Sequence, residues 1–431
     1  MKFPISLLAV LSMAIGFLVA LPAASSAGAT VSASISKLSS SGAIDAATAS
    51  KARTAYNESR SLRKRTSGAK RTALTAQIRR VEAFARQNRI TADRVMPLFF
   101  TLQNNVDWFK TNGPAAYGAD RRFDKTGRII FQYFPGTGWE FHPLSNFAKL
   151  NAVWTDKSSA ARRALGAYAH ELMAWGVNRG GALTWEYYFA FSGSKAPFIS
   201  AISQGTAIQS LSRSGYALKD GTITEAAQRG AQAFGIAAPL GLKVERDEGF
   251  SYLGYSGSPR LIILNQFLQG LDGLHDYSII TDDQSAWSLY REGLKAARRE
   301  TVLSDTGAWS LYNLDGPESP LNYHELVITF LTKLCDETTE AVFCDTRDRW
   351  QADLKIAPTI TNISTKTKKG RIYVTFTLSK ISTVRVTTAG GGTTVATVGY
   401  GKRVFSVAKG KSKTVKIVAT DLAGNTGSAS K

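Results

Sequence analysis

Apolar residues recur at helical spacing through the middle of the chain and switch to strict alternation near its end. Between residues 96 and 355 the stripes are Leu144, Phe147 and Ala148 before Trp154; Ala161 to Trp175; Ala201 to Tyr216; Ile223 to Phe234; Leu264, Phe267, Leu268, Leu271 and Leu274; Trp287 to Leu303; Leu326, Val327, Phe330, Leu331 and Leu334; and Thr346 to Leu354. Steps of three and four put such residues on one helix face, so about eight successive helices are predicted, joined by Gly, Pro and aromatic loops. Their order predicts helical hairpins stacked side by side as an incomplete α/α toroid, with loops at one end lining a cleft. After Pro358 the runs IYVTFTL (372 to 378), TVRVTTA (383 to 389) and TVKIVATD (414 to 421) have period two and are separated by GGG and KGKSK turns. That pattern predicts a small all-β sandwich.

The fold class is therefore multidomain and mainly α, with a C-terminal β unit. Its closing ATDLAGNTG resembles the last strand and turn of bacterial immunoglobulin-like surface modules. Residues 30 to 95 predict two basic amphipathic helices broken near Ser67 and Gly68, with Ile78, Val81, Phe84 and Ala85 on one stripe. Ahead of them, Met1 to Ala29 carries Lys2, an apolar run from Ile5 to Val19 and the small residues LPAASSAGA. That order reads as a signal peptide, with an uncleaved anchor as the alternative. The expected division is 1–29 leader, 30–95 basic helical arm, 96–355 α/α toroid and 356–431 β-sandwich.

Charge separates these units. The net charge is +20, yet basic against acidic counts are 14 to 4 over residues 30–95, 25 to 28 over 96–355 and 13 to 1 over 356–431. The flanks suit an anionic wall polymer, a membrane surface or an acidic polysaccharide, while the near-neutral centre does the selective work. No nucleic-acid reader motif accompanies the charge. The two cysteines, Cys335 and Cys344, either staple a helical hairpin in an exported protein or stay unpaired.

Several chemistries lack their motifs. HELMA from His170 and HELVI from His324 have Ala174 and Ile328 where a zinc helix needs its second histidine, and only four histidines exist in all. GYSGS ends on Ser258, so it is no nucleophile elbow, and no glycine loop for phosphate is complete. Nothing points to a metal, redox or nucleotide cofactor.

Four ordered segments carry a stronger signal: ISQGTAIQSLSR (202 to 213), YLGYSGSPRLIILNQFLQGLDGLHDY (252 to 277), GAWSLYNL (307 to 314) and NYHELVITFL (322 to 331). The first resembles an Ala-Gln-Gly-Gln-Ala-Ile-Ser-x-Leu-x-Arg helix, and LNQF resembles a Leu-Asn-Gly-Phe helix ending in Asp. SLYREGLKA with DTGAWSLYNL is similar to a Tyr, Asp-x-Gly and Tyr-Asp-Leu pattern, and NYH to a closing Tyr-His pair. In order and spacing these resemble the C-terminal catalytic domain of the D-glucuronyl C5-epimerases, from about FQYFPGTGWEFHPLSNFAKLNAVW (131 to 154) to RDRWQADL (347 to 354). The resemblance implies an α/α barrel that inverts C5 of glucuronate within a polysaccharide.

Inversion at C5 removes a proton α to a carboxylate from one face and returns one to the other, through an aci-carboxylate that needs stabilising. The resemblance implies Tyr255 in YLGYSGSP for proton transfer, with Tyr312 in SLYNL and Tyr323 in NYH on the opposing side as partner acid or positioner. It further implies Arg213 as the fork for the uronate carboxylate, and Gln204, Asn265 and His324 for sugar hydroxyls. The residues alone leave other readings open: Tyr323 as a cap on the apolar stripe of its helix, and Arg213 as a plain helix-end cation. The chain also departs from the family pattern. Gly254 and Ser256 flank Tyr255 where the family has glutamate and proline, and Val327 replaces a second histidine.

Three other functions compete. A uronate lyase would let the same carbanion expel the C4 substituent. A glycoside hydrolase would need two carboxylates, for which Glu140, Glu171, Asp305 and Asp315 are candidates. A surface glycan-binding protein would use an aromatic cleft and basic flanks without turnover.

Overall fold

The computed structural model describes residues 29–123, 127–411 and 414–431. All but the last residue of the expected leader lies outside them. Among the described residues no helix is long and apolar enough to cross a membrane.

Helices α1 (Val31–Ser40), α2 (Ala46–Lys64) and α3 (Gly68–Arg86) open the chain. Thr30 and Asp45 cap the first two by accepting the N–H groups of Ala33 and Thr48. The α2–α3 break falls at the predicted Ser67–Gly68, and the stripe Ile78, Val81, Phe84 and Ala85 is buried. Helix α1 escapes the pattern because only Val31 and Ile35, one turn apart, are buried. Helix α4 (Ala92–Val95) continues through a π-helical turn, Met96–Phe100, into α5 (Thr101–Thr111). Pro97 has no N–H to offer the ladder there. The expected division at 95/96 thus falls inside one continuous helical run.

The antiparallel strands β1 (Asp120–Arg121), β2 (Phe131–Phe134) and β3 (Gly138–Phe141) lead into α6 (Pro143–Thr155) and α7 (Ser159–Met173). The hairpin β4 (Val177–Arg179) and β5 (Ala182–Thr184) precedes α8 (Ala201–Leu218) and α9 (Gly221–Ala231). A second hairpin, β6 (Lys243–Glu245) and β7 (Phe250–Tyr252), precedes α10 (Leu264–Thr281), α11 (Gln284–Leu303), α12 (Leu321–Thr338) and α13 (Ala341–Asp353). The eight predicted stripes are α6 to α13. The short strands between them carry too few residues for alternation to register.

Helix α8 is buried along most of its length and packs against α6, α9 and α10. It is filled with Gly, Ala, Ser and Thr because α10 comes very close. A Cβ on Gly273 would stand 2.3 Å from Gly205 O, and one on Gly205 would stand 2.7 Å from Gln269 O. The disulfide Cys335–Cys344 joins α12 to α13 with the Cα atoms 4.9 Å apart.

The C-terminal strands are β8 (Ile360–Lys368), β9 (Arg371–Leu378), β10 (Ser382–Thr388), β11 (Thr393–Val398), β12 (Gly401–Ala408), β13 (Val415–Asp421) and β14 (Thr426–Ser430). They form two antiparallel sheets, β11-β10-β13-β14 and β12-β9-β8, whose inner residues share one apolar core. The three runs marked by alternation are the interior strands β9, β10 and β13. The four unmarked strands are the sheet edges, where fewer positions are buried.

Candidate active site

Four helices begin around one cleft of about 250 Å³. His142 caps α6, Ser200 directly precedes α8, Asn265 and Gln266 open α10, and Tyr323 lies in the first turn of α12. Tyr255 enters from the loop after β7, and Tyr117, Phe134, Tyr187, Phe189, Phe191 and Phe198 give the walls an aromatic surface. None of the lining residues is Asp, Glu, Lys or Arg. The positive ends of the four helix dipoles therefore supply the local field, which favours an anion. A larger hollow of about 370 Å³ lies between α2 and α5, but its lining holds one cation, Lys51, and no carboxylate, histidine or tyrosine.

Tyr255 is 7% exposed, and a hydrogen bond reaches its oxygen. Gln266 Nε2 donates to it from 3.0 Å, and the Ser192 and Tyr312 side chains lie near enough to favour its phenolate. Ser192 has a left-handed backbone, φ 46°, seldom taken by non-glycine residues. Burial raises the Tyr255 phenol above its ordinary range, a rise that Gln266, Ser192 and Tyr312 reduce without cancelling. Burial together with Tyr255 and Tyr323 drives the Tyr312 phenol up, so Tyr312 keeps its proton. Its ring meets that of Tyr323 edge-on, with centroids 5.4 Å apart. Tyr312, expected opposite Tyr255, packs against the same apolar cluster as Tyr255.

The Tyr312 loop is tied down on two sides. Asn313 bridges to Ile263 ahead of α10, and Leu311 bridges to Glu318. The buried Glu318 carboxylate accepts the N–H groups of Ile381 at 3.0 Å and Tyr400 at 2.7 Å, fastening this loop to the C-terminal sheets.

The cleft also holds polar groups with no partner among the described residues. Ser200 Oγ and Gln266 Oε1 are buried and unpaired, and the Asn265 amide lines the same cleft. His142 Nδ1 accepts the Ser145 N–H at 3.2 Å, which leaves the neutral ring's proton on Nε2. Burial lowers its pKa to about 4, so it is neutral at pH 7. The sequence marked neither His142 nor Gln266, since each reads as an ordinary helix-start residue.

Three expected ligand-binding residues lie elsewhere. Gln204 Nε2 donates to Leu183 O and Gly230 O at 2.8 and 3.0 Å, fixing α8 to β5 and α9. His324 is sealed from solvent, stacks on Trp309 with centroids 4.0 Å apart and accepts the Ser310 N–H, so it props the Tyr312 loop. Arg213 pairs with Asp276, contacts Asn151 at 3.1 Å and lies over Trp154. It follows Ile202 of the cleft wall by eleven residues, roughly 16 Å along α8. Of the hydrolase candidates, Glu140 pairs with Arg80, Glu171 with Arg128 and Asp305 with Arg349, and neither they nor Asp315 line the cleft.

Residues 179–352 match the family profile described as D-glucuronyl C5-epimerase C-terminus. That segment belongs to the D-glucuronyl C5-epimerase C-terminal domain family. A D-glucuronyl C5-epimerase from Caenorhabditis elegans is 28% identical over 171 residues, a match covering 35% of this chain and 28% of that protein. The chain thus aligns with less than a third of that relative's length. The epimerase-family segment starts later than the expected residue 131, at Arg179, and supplies Tyr255, Asn265, Gln266 and Tyr323 to the cleft. Tyr117, Gln132, Phe134, His142 and Leu144 come from outside it, so the cleft is completed by sequence beyond the C5-epimerase match.

Proposed function

We propose that this protein epimerises C5 of D-glucuronate residues within a polysaccharide to L-iduronate. The observation that carries the reading is the buried Tyr255 oxygen, which accepts the Gln266 amide N–H at 3.0 Å inside a segment of the C5-epimerase family. Donors aimed at a phenolic oxygen stabilise its phenolate, the form that can accept a proton. Tyr255 takes the C5 proton, and the electron pair passes into the carboxylate. The resulting aci-carboxylate is held by neutral donors, the His142 Nε2–H, the Asn265 amide and the Ser200 hydroxyl, in the field of the helix N-termini. Tyr323 returns a proton to the other face, and Tyr312 links the two phenols. The aromatic walls stack on the sugar rings.

Further parts of the reading concern architecture and setting. Helices α6 to α13 form an incomplete α/α toroid over 96–355, residues 30–95 form a basic arm, and the two C-terminal sheets form an immunoglobulin-like sandwich over 356–431. The run Ile5 to Val19 directs export, and the basic flanks hold an anionic glycan or wall polymer near the cleft.

Incubation with glucuronate polysaccharides in deuterated water, followed by NMR at C5, tests the reaction. Deuterium at C5 with iduronate signals is the expected result. An unsaturated uronate would make the protein a lyase. Binding without exchange would make it a glycan-binding protein, a second reading favoured by the burial that raises both Tyr255 and Tyr312.

A further inference from the structure

Two of the places where this segment departs from the family pattern, glycine for glutamate at 254 and glutamine for glycine at 266, touch each other. A Cβ on Gly254 would stand 1.7 Å from Gln266 Oε1 and 2.7 Å from its Cδ. Gly254 is not among the glycines with a left-handed backbone, so it is needed for space and not for conformation. The backbone around it is pinned. Leu253 O accepts the Ala201 N–H at 2.8 Å, Ser256 N donates to Ile199 O at 2.9 Å, and Ser256 Oγ accepts the Ile199 N–H at 3.1 Å. A side chain at 254 would therefore displace the Gln266 amide.

That amide lies over Gly254 with its Oε1 buried and unpaired, and it presents Nε2 to the Tyr255 oxygen at 3.0 Å. An orphaned buried carbonyl costs stability. What the arrangement gains is a neutral N–H aimed at the phenol.

We propose that Gly254 and Gln266 act as one unit in which Gln266 is a positioning residue, fixing Tyr255 as the acceptor of the tyrosine group. A carboxylate beside the phenol would draw its proton; the amide donates to its oxygen instead and adds no charge to the cleft. The Gln266 N–H on this oxygen thus stabilises the Tyr255 phenolate. The kinetic consequence rests on the reading of Tyr255 as the base; the phenol's titration does not.

The test follows the Tyr255 phenol in the full chain by carbon NMR of the labelled tyrosine ring, with Tyr255→Phe to assign the signal. Gln266→Met keeps the length and removes the donor, and it is expected to raise the Tyr255 midpoint by roughly half to one pH unit. In the exchange assay kcat is then expected to fall about three- to tenfold at neutral pH and to recover as pH rises, with KM unchanged. An unchanged or lowered midpoint in Gln266→Met overturns the proposal. Gly254→Ala is expected to unfold the chain at lower temperature, and Gly254→Ala with Gln266→Gly to recover most of that loss. Additive losses would sink the coupling. A shifted midpoint in a protein without C5 exchange would leave the unit standing and remove the epimerase reading alone.

Discussion

Lys380 and Asp421 form a 2.8 Å ion pair in which the two side chains are 1% and 0% exposed. The other two ammonium protons go to Asp353 O at 2.6 Å and Ile356 O at 2.5 Å, so the C-terminal sheets grip the end of α13 through a fully satisfied cation. The same cation lies 5.8 Å from the Trp309 ring centroid, below the Tyr312 loop. Lys380→Met strands a buried carboxylate, so an equilibrium denaturation experiment should show a loss of about 3–5 kcal/mol. Pairing it with Asp421→Leu should cost much less. Equal losses in the single and double variants would mean that packing, and not the stranded charge, dominates.

Tyr255→Phe removes the proton-accepting oxygen while keeping the ring that packs against Phe191 and Phe198. C5 exchange should drop by about a hundred- to ten-thousand-fold. Polysaccharide affinity, measured by calorimetry, should stay within a few-fold of the parent. Loss of both together would make Tyr255 a structural residue.

Arg213 is engaged by Asp276 and Asn151 and covers Trp154. Arg213→Met should therefore lower stability by about 1–3 kcal/mol and leave KM for the polysaccharide unchanged. A tenfold rise in KM with the denaturation midpoint intact would restore Arg213 as the carboxylate's partner.

Glu300 is buried with Ser251 as the hydrogen-bond partner of one oxygen, while its other oxygen has none. Burial raises its pKa from 4.5 to about 7. The folded chain thus binds this proton more tightly than the unfolded chain does. Stability from this group is complete below pH 4.5, falls as pH rises and levels off above about 7. The span is about 3 kcal/mol. Glu300→Gln should raise the denaturation midpoint at pH 8 and flatten the profile between those limits. An unaltered profile would place the titration elsewhere.

Local pattern alone determined the order of the main elements. The eight stripes became α6 to α13, the Ser67–Gly68 break separates α2 from α3, and the alternating runs became the interior strands β9, β10 and β13, because a helix face or a central strand must bury its apolar side whatever its neighbours are. The motif order also carried Tyr255, Tyr312 and Tyr323 to one place. Tertiary structure alone decided what each polar side chain does there. Arg213 and Gln204 sit on the same helix as the cleft wall, yet their positions further along it hand them to Asp276 and to the β5 and α9 carbonyls. His324 follows Tyr323 directly, and one helical step turns it from the cleft into the core beside Trp309. His142 and Gln266 entered the site because separate helices converge there, which no spacing along the chain records. The space that Gly254 leaves for Gln266 is likewise a contact between distant segments, and contacts of that kind are fixed by packing, not by pattern.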